Sequence, residues 1–308
     1  MKILITGASG FLGKHVQRAL YDAPFPKELL VPTSGEVDFS KAGKVNVYFD
    51  DFKPDVVIHL AARVGGIGAN MLKPAEFFHD NLAMGLNVLE ACRTAKVRRL
   101  VMVGTTCSYP KFPKTIPFIE EELFDGFPES TNAPYGIAKR ALIAGAASYK
   151  AQYGLDSVCL IPTNLYGPGD SSDLEKSHVI PALFQKFIQA SREGGHVTLW
   201  GTGSPTRDFL YVGDAAAAIV RAVTAEGTPP VVNLGSGVET NIATLAGKVA
   251  KLVGCGGQII WDSEKPDGQP RRCLDSSKAR DFLGWSAVTS LDDGLAKTYE
   301  SIKKGARR

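Results

Sequence analysis

What the chain lacks narrows it first. No apolar run approaches the roughly 20 residues that a membrane-spanning helix needs, and the opening MKILITG enters a strand at once, leaving no room for a signal peptide. Both absences predict a cytoplasmic protein with no membrane partner. The cysteines are only five, Cys92, Cys107, Cys159, Cys255 and Cys273, odd in number, widely spaced and without a CxxC pair. This pattern indicates neither a disulfide framework nor a zinc site, so reduced thiols and no metal are expected. An excess of one charge is also missing. A net charge of +3 with 22% charged residues is too weakly basic to imply nucleic acid, so any anionic partner must be recognised locally. Internal repeats and low-complexity segments do not occur.

What is present is an ordinary globular composition, 44% hydrophobic over 308 residues, about twice the usual domain length. KILITGASGFLGKHVQRAL reads as an apolar strand, a glycine turn and an amphipathic helix. Further runs without polar alternation follow: ELLVPT (Glu28 to Thr33), DVVIHLAA (Asp55 to Ala62), RRLVMVGTT (Arg99 to Thr106) and DSVCLIPTN (Asp156 to Asn164). Continuous apolar strands separated by helices predict an α/β fold with a doubly wound parallel sheet of Rossmann type, covered on both faces.

After Asn164 the alternation becomes irregular, and the loops YGPGDSSD, WGTGSPTRD and KPDGQPRR suggest a smaller, loop-rich lobe. FLYVGDAAAAIVRAV and VVNLGSG return to the first pattern. The expected division is therefore interleaved: 1–163 with 209–237 as the cofactor-binding domain, 164–208 with 238–308 as the substrate-binding lobe. The acidic run IEEELFDG reads as a solvated loop.

Gly7, Gly10 and Gly13 form GxxGxxG between strand and helix, the context in which such a pattern has physical meaning. Glycine permits a sharp turn and close approach of a pyrophosphate, and the helix N-terminus offers free N–H groups to the anion. The spacing excludes a Walker A loop. At the end of the second strand, where an acid would hold the ribose hydroxyls of NAD, stand Pro32, Thr33 and Ser34. The missing acid favours NADP, with Lys14, Thr33 or Ser34 as partners of its extra phosphate. Asp38 is either an adenine contact or an exposed loop acid.

In TNAPYGIAKRALIAGAASY, Tyr135 and Lys139 lie four apart behind a proline start signal, on one face of a helix. A free tyrosine titrates near about pH 10, and an adjacent ammonium is expected to lower that value. Such a pair can deliver a proton to a carbonyl oxygen as hydride arrives.

These motifs resemble the extended short-chain dehydrogenase/reductase superfamily, over Ile3 to about Tyr299. The resemblance rests on TGASGFLG, HLAA, GTTCSYP, YGIAK, PTNLYGP, RDFLYV and NLGSG. It implies catalytic roles for Tyr135 and Lys139, with Thr105, or failing that Thr106, bonding the reacting oxygen. It further implies that NADP(H) is held by Gly7, Gly10, Phe11, Leu12, Gly13, Asp38, Leu60, Ala61, Ala62, Tyr135, Lys139, Pro162, Asn164, Leu165 and His178.

Three narrower stretches, AARVGGIGANMLKPAEFFHDN, SHVIPAL and WDSEKPDGQPRRCLD, resemble the GDP-L-fucose synthase family. That family epimerises C3 and C5 of GDP-4-keto-6-deoxy-D-mannose and reduces C4 with NADPH. The resemblance implies that Cys107 and His178 are the base and acid of epimerisation. It also implies that the GDP-sugar meets Asn164, Lys186, Trp200, Arg207 and Arg271, and that the protein is a homodimer. Small residues along the helix, Ala138, Ala141, Ala144, Gly145, Ala146 and Ala147, permit close helix packing, either within one chain or between two. The sequence departs from the family's pattern at Thr105 for the usual serine, Lys186 for the common arginine, and Ser9 where a basic residue often stands. The alternative readings are a reductase or epimerase for another GDP-4-keto sugar, a sugar-nucleotide 4-epimerase with tightly held NAD, and a non-catalytic NADP sensor.

Overall fold

A computed structural model describes residues 1–170, 179–265 and 267–305. The first half alternates strands and helices: β1 (Lys2–Thr6), α1 (Phe11–Tyr21), β2 (Glu28–Leu30), α2 (Ala42–Phe52), β3 (Val56–His59), α3 (Ile67–Leu72), α4 (Pro74–Thr94), β4 (Arg99–Val103), α5 (Ala133–Tyr153) and β5 (Ser157–Pro162). The second half continues with β6 (Asn164–Tyr166), α6 (Val179–Glu193), β7 (Val197–Trp200), β8 (Thr206–Tyr211), α7 (Val212–Thr224), β9 (Val231–Leu234), β10 (Glu239–Asn241), α8 (Ile242–Val253), β11 (Ile259–Asp262), β12 (Arg271–Arg272), α9 (Ser277–Leu283) and α10 (Leu291–Gly305).

Six parallel strands lie in the order β2-β1-β3-β4-β5-β9. Their apolar runs are explained by burial on both faces. Leu4, Val57, Leu100 and Cys159 point into a core shared with Val45 and Phe49 of α2, Val88 and Leu89 of α4, and Leu142 of α5. Their sequence neighbours Ile3, Ile5, Val56, Ile58, Val101 and Val158 point the other way, against Val16 of α1, Ile219 of α7 and Leu283 of α9. Each fully buried aliphatic side chain here contributes about 1.5 to 3 kcal/mol. A polar residue on either face would remove that contribution. The sheet is thus the doubly wound Rossmann-type arrangement expected from the sequence.

From β1 the chain turns through α1 to β2 on one side, then crosses through α2 to β3 on the other. The carboxyl ends of β1 and β3 therefore flank a topological switch point, where ligands of open α/β sheets bind. The strand expected over Glu28 to Thr33 stops at Leu30. Pro32 lacks a ladder donor, and Thr33 instead donates its N–H to Glu36 Oε2 at 2.7 Å.

The smaller lobe has its own core, in which Tyr166, Phe184, Phe187, Leu199, Phe209, Leu245 and Leu295 meet. Here β8 pairs with β6, β10 and β12, while β7 pairs with β11. Segment 111–118 ties this lobe to the chain after Cys107. The Phe118 N–H donates to Cys273 O at 2.8 Å, and Gln269 Nε2 donates to Lys111 O at 2.8 Å.

The acidic run after it is not the solvated loop expected. Glu120 and Glu122 are buried. Glu120 accepts the Asn233 N–H at 2.8 Å, and Glu122 accepts the N–H groups of Lys114 and Thr115, each at 3.0 Å. Backbone donors that would otherwise be orphaned hold these carboxylates in place.

Candidate active site

At the carboxyl end of β1 the turn residue Gly7 has φ 71°. A side chain there would also bring its Cβ to 2.8 Å from Ala61 N, which no real Cβ tolerates. The turn therefore lies directly against Leu60 and Ala61 after β3. Leu60 N–H donates to Thr6 O at 3.2 Å, and Ala61 N–H donates to the Thr6 hydroxyl at 3.1 Å. Gly10 is the N-cap of α1 and supplies no side-chain cap, and the first turn carries no acid. The exposed amide end of α1 is thus left for an anion. This cradle, followed by Phe11 and Leu12, has the donors and the space that a pyrophosphate would need.

Around the edge of this cradle the other expected cofactor residues are arranged differently. Asp38 closes its own turn, accepting the Ser40 N–H at 2.9 Å and hydroxyl at 2.7 Å. Those two bonds, the hydroxyl's first, hold its carboxyl below the usual range. The Thr33 hydroxyl donates to Glu36 Oε2 at 2.9 Å, whereas Lys14 is exposed. Pro162 ends β5, Leu165 packs on the second sheet face, and Asn164 Nδ2 donates to Asp208 O at 2.9 Å.

The carboxyl end of β4 carries the reactive groups. Thr105 caps a single 3-10 turn, Thr106–Ser108, by accepting the Cys107 N–H at 3.2 Å, and its hydroxyl favours the ionised form of the Tyr135 phenol. Thr106 is buried in that turn. Cys107 is partly exposed, and Asn132 Nδ2 donates to its Sγ at 3.2 Å. One hydroxyl thus holds the backbone of the thiol and acts on the phenol.

Helix α5 starts at Ala133, with Pro134 in its first turn, and ends at Gly154 in the left-handed conformation. Tyr135 and Lys139 project from its first two turns. Lys139 is buried and donates to Val103 O, the last residue of β4, at 3.1 Å. Burial brings its ammonium down to about 8. The phenol of Tyr135, which packs edge-on against Phe77, is shifted upward, opposite to the direction expected from a Tyr-Lys pair. Burial dominates, the nearby Cys107 adds to it, and the Thr105 hydroxyl opposes it. The phenol therefore stays protonated at neutral pH. Such a group donates a proton rather than accepting one.

The remaining expected residues lie in the smaller lobe. Lys186 Nζ donates to Thr198 O at 2.9 Å, and burial lowers its pKa. Trp200 is 66% exposed, with the Lys265 ammonium 5.8 Å from its ring centre. Arg207 donates to Thr206 O at 2.7 Å, and burial brings it down to about 10. Arg271 is engaged by Glu239 through two hydrogen bonds. His178 lies outside the described residues.

Residues 3–235 match the sequence pattern of the NAD dependent epimerase/dehydratase family. The chain belongs to that family. Among its relatives, GDP-L-fucose synthase 1 of Arabidopsis thaliana is 42% identical over 97% of this chain and 92% of its own length. GDP-L-fucose synthase of Escherichia coli (strain K12) is 40% identical over 97% and 95%. A crystal structure of a GDP-L-fucose synthetase from Naegleria fowleri bound to NADP superposes with a TM-score of 0.92 at 28% identity, covering 99% of this chain and 93% of that one.

Within this epimerase/dehydratase framework, three residues that sequence reasoning passed over hold the reactive loop. A Cβ on Gly136 would collide with the carbonyl oxygen of Cys107, so only glycine lets α5 lie this close. Arg140 is buried and donates two bonds to Ser108 O and a third to Gly126 O at 2.7 Å. Asn132 reaches Cys107 itself. Gly136 lies inside the Tyr-Lys pair and Arg140 directly follows it in the sequence, yet nothing local marks them. Their partners are 14 to 32 positions away.

Proposed function

We infer that the protein is a GDP-L-fucose synthase, an NADPH-dependent enzyme that epimerises C3 and C5 of GDP-4-keto-6-deoxy-D-mannose and reduces C4. Full-length relatives at about 40% identity carry that name, and the NADP-bound structure shares the whole fold. The alternative substrates, the NAD-dependent 4-epimerase and the non-catalytic sensor are not favoured. The observation that carries the mechanism is the Thr105 hydroxyl, which accepts the Cys107 N–H and favours the ionised form of the Tyr135 phenol. One bound sugar can then meet the reducing and epimerising groups together.

The C4 ketone acidifies the protons on C3 and C5, because either carbanion is delocalised as an enolate. Inversion needs a base on one ring face and an acid on the other. We assign the base to the Cys107 thiolate, which takes the ring proton, and the acid to His178, which returns a proton to the opposite face. NADPH, when bound, supplies the hydride that reduces C4. Its pyrophosphate would rest on the α1 amides beside Gly7, Gly10 and Gly13, with Leu60, Ala61 and Ala62 along its length. Tyr135 gives its proton to the C4 oxygen, and the Thr105 hydroxyl polarises that oxygen. The Lys139 ammonium stabilises the phenolate left behind.

Asn164, Lys186, Trp200, Arg207 and Arg271 are proposed to hold the GDP moiety, with Trp200 offering an exposed flat surface and the cations meeting phosphate oxygens. Arg271 must leave Glu239 to do so. The interleaved division into 1–163 with 209–237 and 164–208 with 238–308 is proposed as the functional one. The β8 pairing with β6 draws residues 206–211 toward the lobe. We also propose a homodimer in the cytoplasm. Gly85 of α4 packs tightly on Leu142 of α5 inside one chain, while the exposed faces of the two helices present Phe78 and Leu86 with Ala141 and Ala144. Five free cysteines suit a reducing compartment. Among the described residues no helix is long and apolar enough to cross a membrane.

The test is a pair of variants assayed on GDP-4-keto-6-deoxy-D-mannose. Cys107→Ser should lose solvent deuterium exchange at C3 and C5, and Tyr135→Phe should keep exchange but lose NADPH oxidation. Normal exchange in Cys107→Ser would remove the base assignment.

A further inference from the structure

Asn132 occupies the N-cap of α5, where an asparagine ordinarily accepts the N–H of the second or third helical residue. Here it makes no side-chain cap. Its Nδ2 is spent on the sulfur of Cys107, 3.2 Å away and 25 positions back in the sequence. Its Oδ1 is buried and has no hydrogen-bond partner, in a residue only 9% exposed. A buried amide oxygen without a donor is costly. The missing cap and the unpaired oxygen are one sacrifice of folding stability, since the cap would be accepted by that same oxygen.

We propose that Asn132 is a positioning residue for Cys107, fixing its sulfur through Nδ2 while its free carbonyl oxygen receives a hydroxyl of the bound sugar. This rests on the reading of Cys107 as the epimerisation base. An N–H donor bonds a thiolate more strongly than a thiol, since the acceptor is then charged. The bond therefore favours the form able to take a ring proton and holds the sulfur in one rotamer. When C3 reaches Sγ, its own hydroxyl and that of C2 come to the same carboxamide, and a hydroxyl is the donor that Oδ1 lacks. The remaining neighbours do not offer this service. Thr105 accepts from the Cys107 backbone, and Gly136 and Arg140 fix the backbone of the loop. Among the described residues Asn132 alone hydrogen-bonds the sulfur.

The experiment measures iodoacetamide alkylation of Cys107 across pH, alongside deuterium exchange at C3 and C5, in a Cys255→Ser background. That background removes the other partly exposed thiol. Asn132→Asp and Asn132→Ala are compared with the parent, NADPH binding serving as the control for a folded cofactor domain. If one variant fails that control, the other carries the test. The expected result is alkylation at neutral pH slowed about tenfold, from losing a charge-assisted bond. Its pH dependence should move upward, with exchange falling at least as far and KM for the GDP-sugar rising. A folded variant whose alkylation profile matches the parent's would overturn the proposal, and so would slowed alkylation with unaltered exchange. Failure of the underlying reading is separately visible, as normal exchange in Cys107→Ser.

Discussion

The two halves of the candidate site are built by different means. At the carboxyl edge of the large sheet, position is set by backbone: Gly7 against Ala61, the uncapped amides of α1, and Gly136 against the Cys107 carbonyl. In the smaller lobe it is set by long side chains that already have partners, Lys186 on Thr198 O, Arg207 on Thr206 O and Arg271 on Glu239. The first kind of site is preformed and cannot yield without moving the chain. The second must exchange internal bonds for ligand bonds, so each contact gives only a net gain. Substitutions at the edge should therefore act on the chemical steps, and those in the lobe on affinity.

The largest effect is expected from Tyr135→Phe, which should lower NADPH-dependent reduction by about a thousandfold through loss of a general acid while leaving NADPH affinity within a few fold. Equal losses in kcat and cofactor binding would mean that the phenol organises the site instead. Next comes Gly136→Ala. Its added methyl displaces the Cys107 loop, and a shift of about 1 Å in a reacting group costs about 100-fold in rate. Stopped-flow measurement of both exchange and reduction should show the two falling together, because Thr105 couples them. A loss confined to one would separate the phenol from the thiol.

Lys139 gives a prediction with two signs. Its pKa of about 8 in the folded protein lies below the unfolded value of about 10.4. At this group the unfolded chain therefore binds more protons between those values, and the contribution of Lys139 to stability rises with pH across that window. Activity should do the opposite and fall above about pH 8 as the ammonium is lost. Lys139→Met should be inactive, lose the alkaline stabilisation, and gain at neutral pH at most about 3 kcal/mol by removing a buried charge. Denaturant titrations from pH 7 to 10 decide this. The buried thiols Cys92, Cys159 and Cys273, pushed up by burial, lower the stability of both proteins over this range. The deciding quantity is therefore the difference between wild type and Lys139→Met, and a difference that does not change with pH would contradict the burial of the charge.

The smallest effects belong to the lobe. Trp200→Ala and Arg271→Ala should each raise KM for the GDP-sugar by about threefold to thirtyfold, at about 1 to 2 kcal/mol per lost contact, with kcat little changed. Glu239→Gln frees Arg271 and should lower KM slightly. A lobe variant that abolished kcat would show that the division between chemistry and affinity is drawn in the wrong place.

This contrast also explains what could be read in advance. The parallel sheet was legible because burial on both faces leaves uninterrupted apolar runs, and the glycine turn and the Tyr-Lys pair were legible because their members are close in sequence. The direction of the Tyr135 shift was not. It depends on Phe77, Cys107 and Thr105 gathering around the phenol from two other elements. Glu120 and Glu122 read as solvent-facing because acids in a run usually are, yet distant backbone donors bury them. Asn132, Gly136 and Arg140 escaped notice for the same reason, since each acts across a tertiary contact to residues 107, 108 or 126. Arg271 could be picked out as a cation in a telling motif, but its pairing with Glu239 only appears once β10 and β12 flank β8.

The most direct test of a single site performing inversion and reduction is one reaction followed by NMR: purified protein, NADPH and GDP-4-keto-6-deoxy-D-mannose in deuterated water. The account predicts GDP-L-fucose carrying deuterium at C3 and C5, with one NADPH oxidised per product. A product that is reduced at C4 but retains its original hydrogens and configuration at C3 and C5 would contradict it.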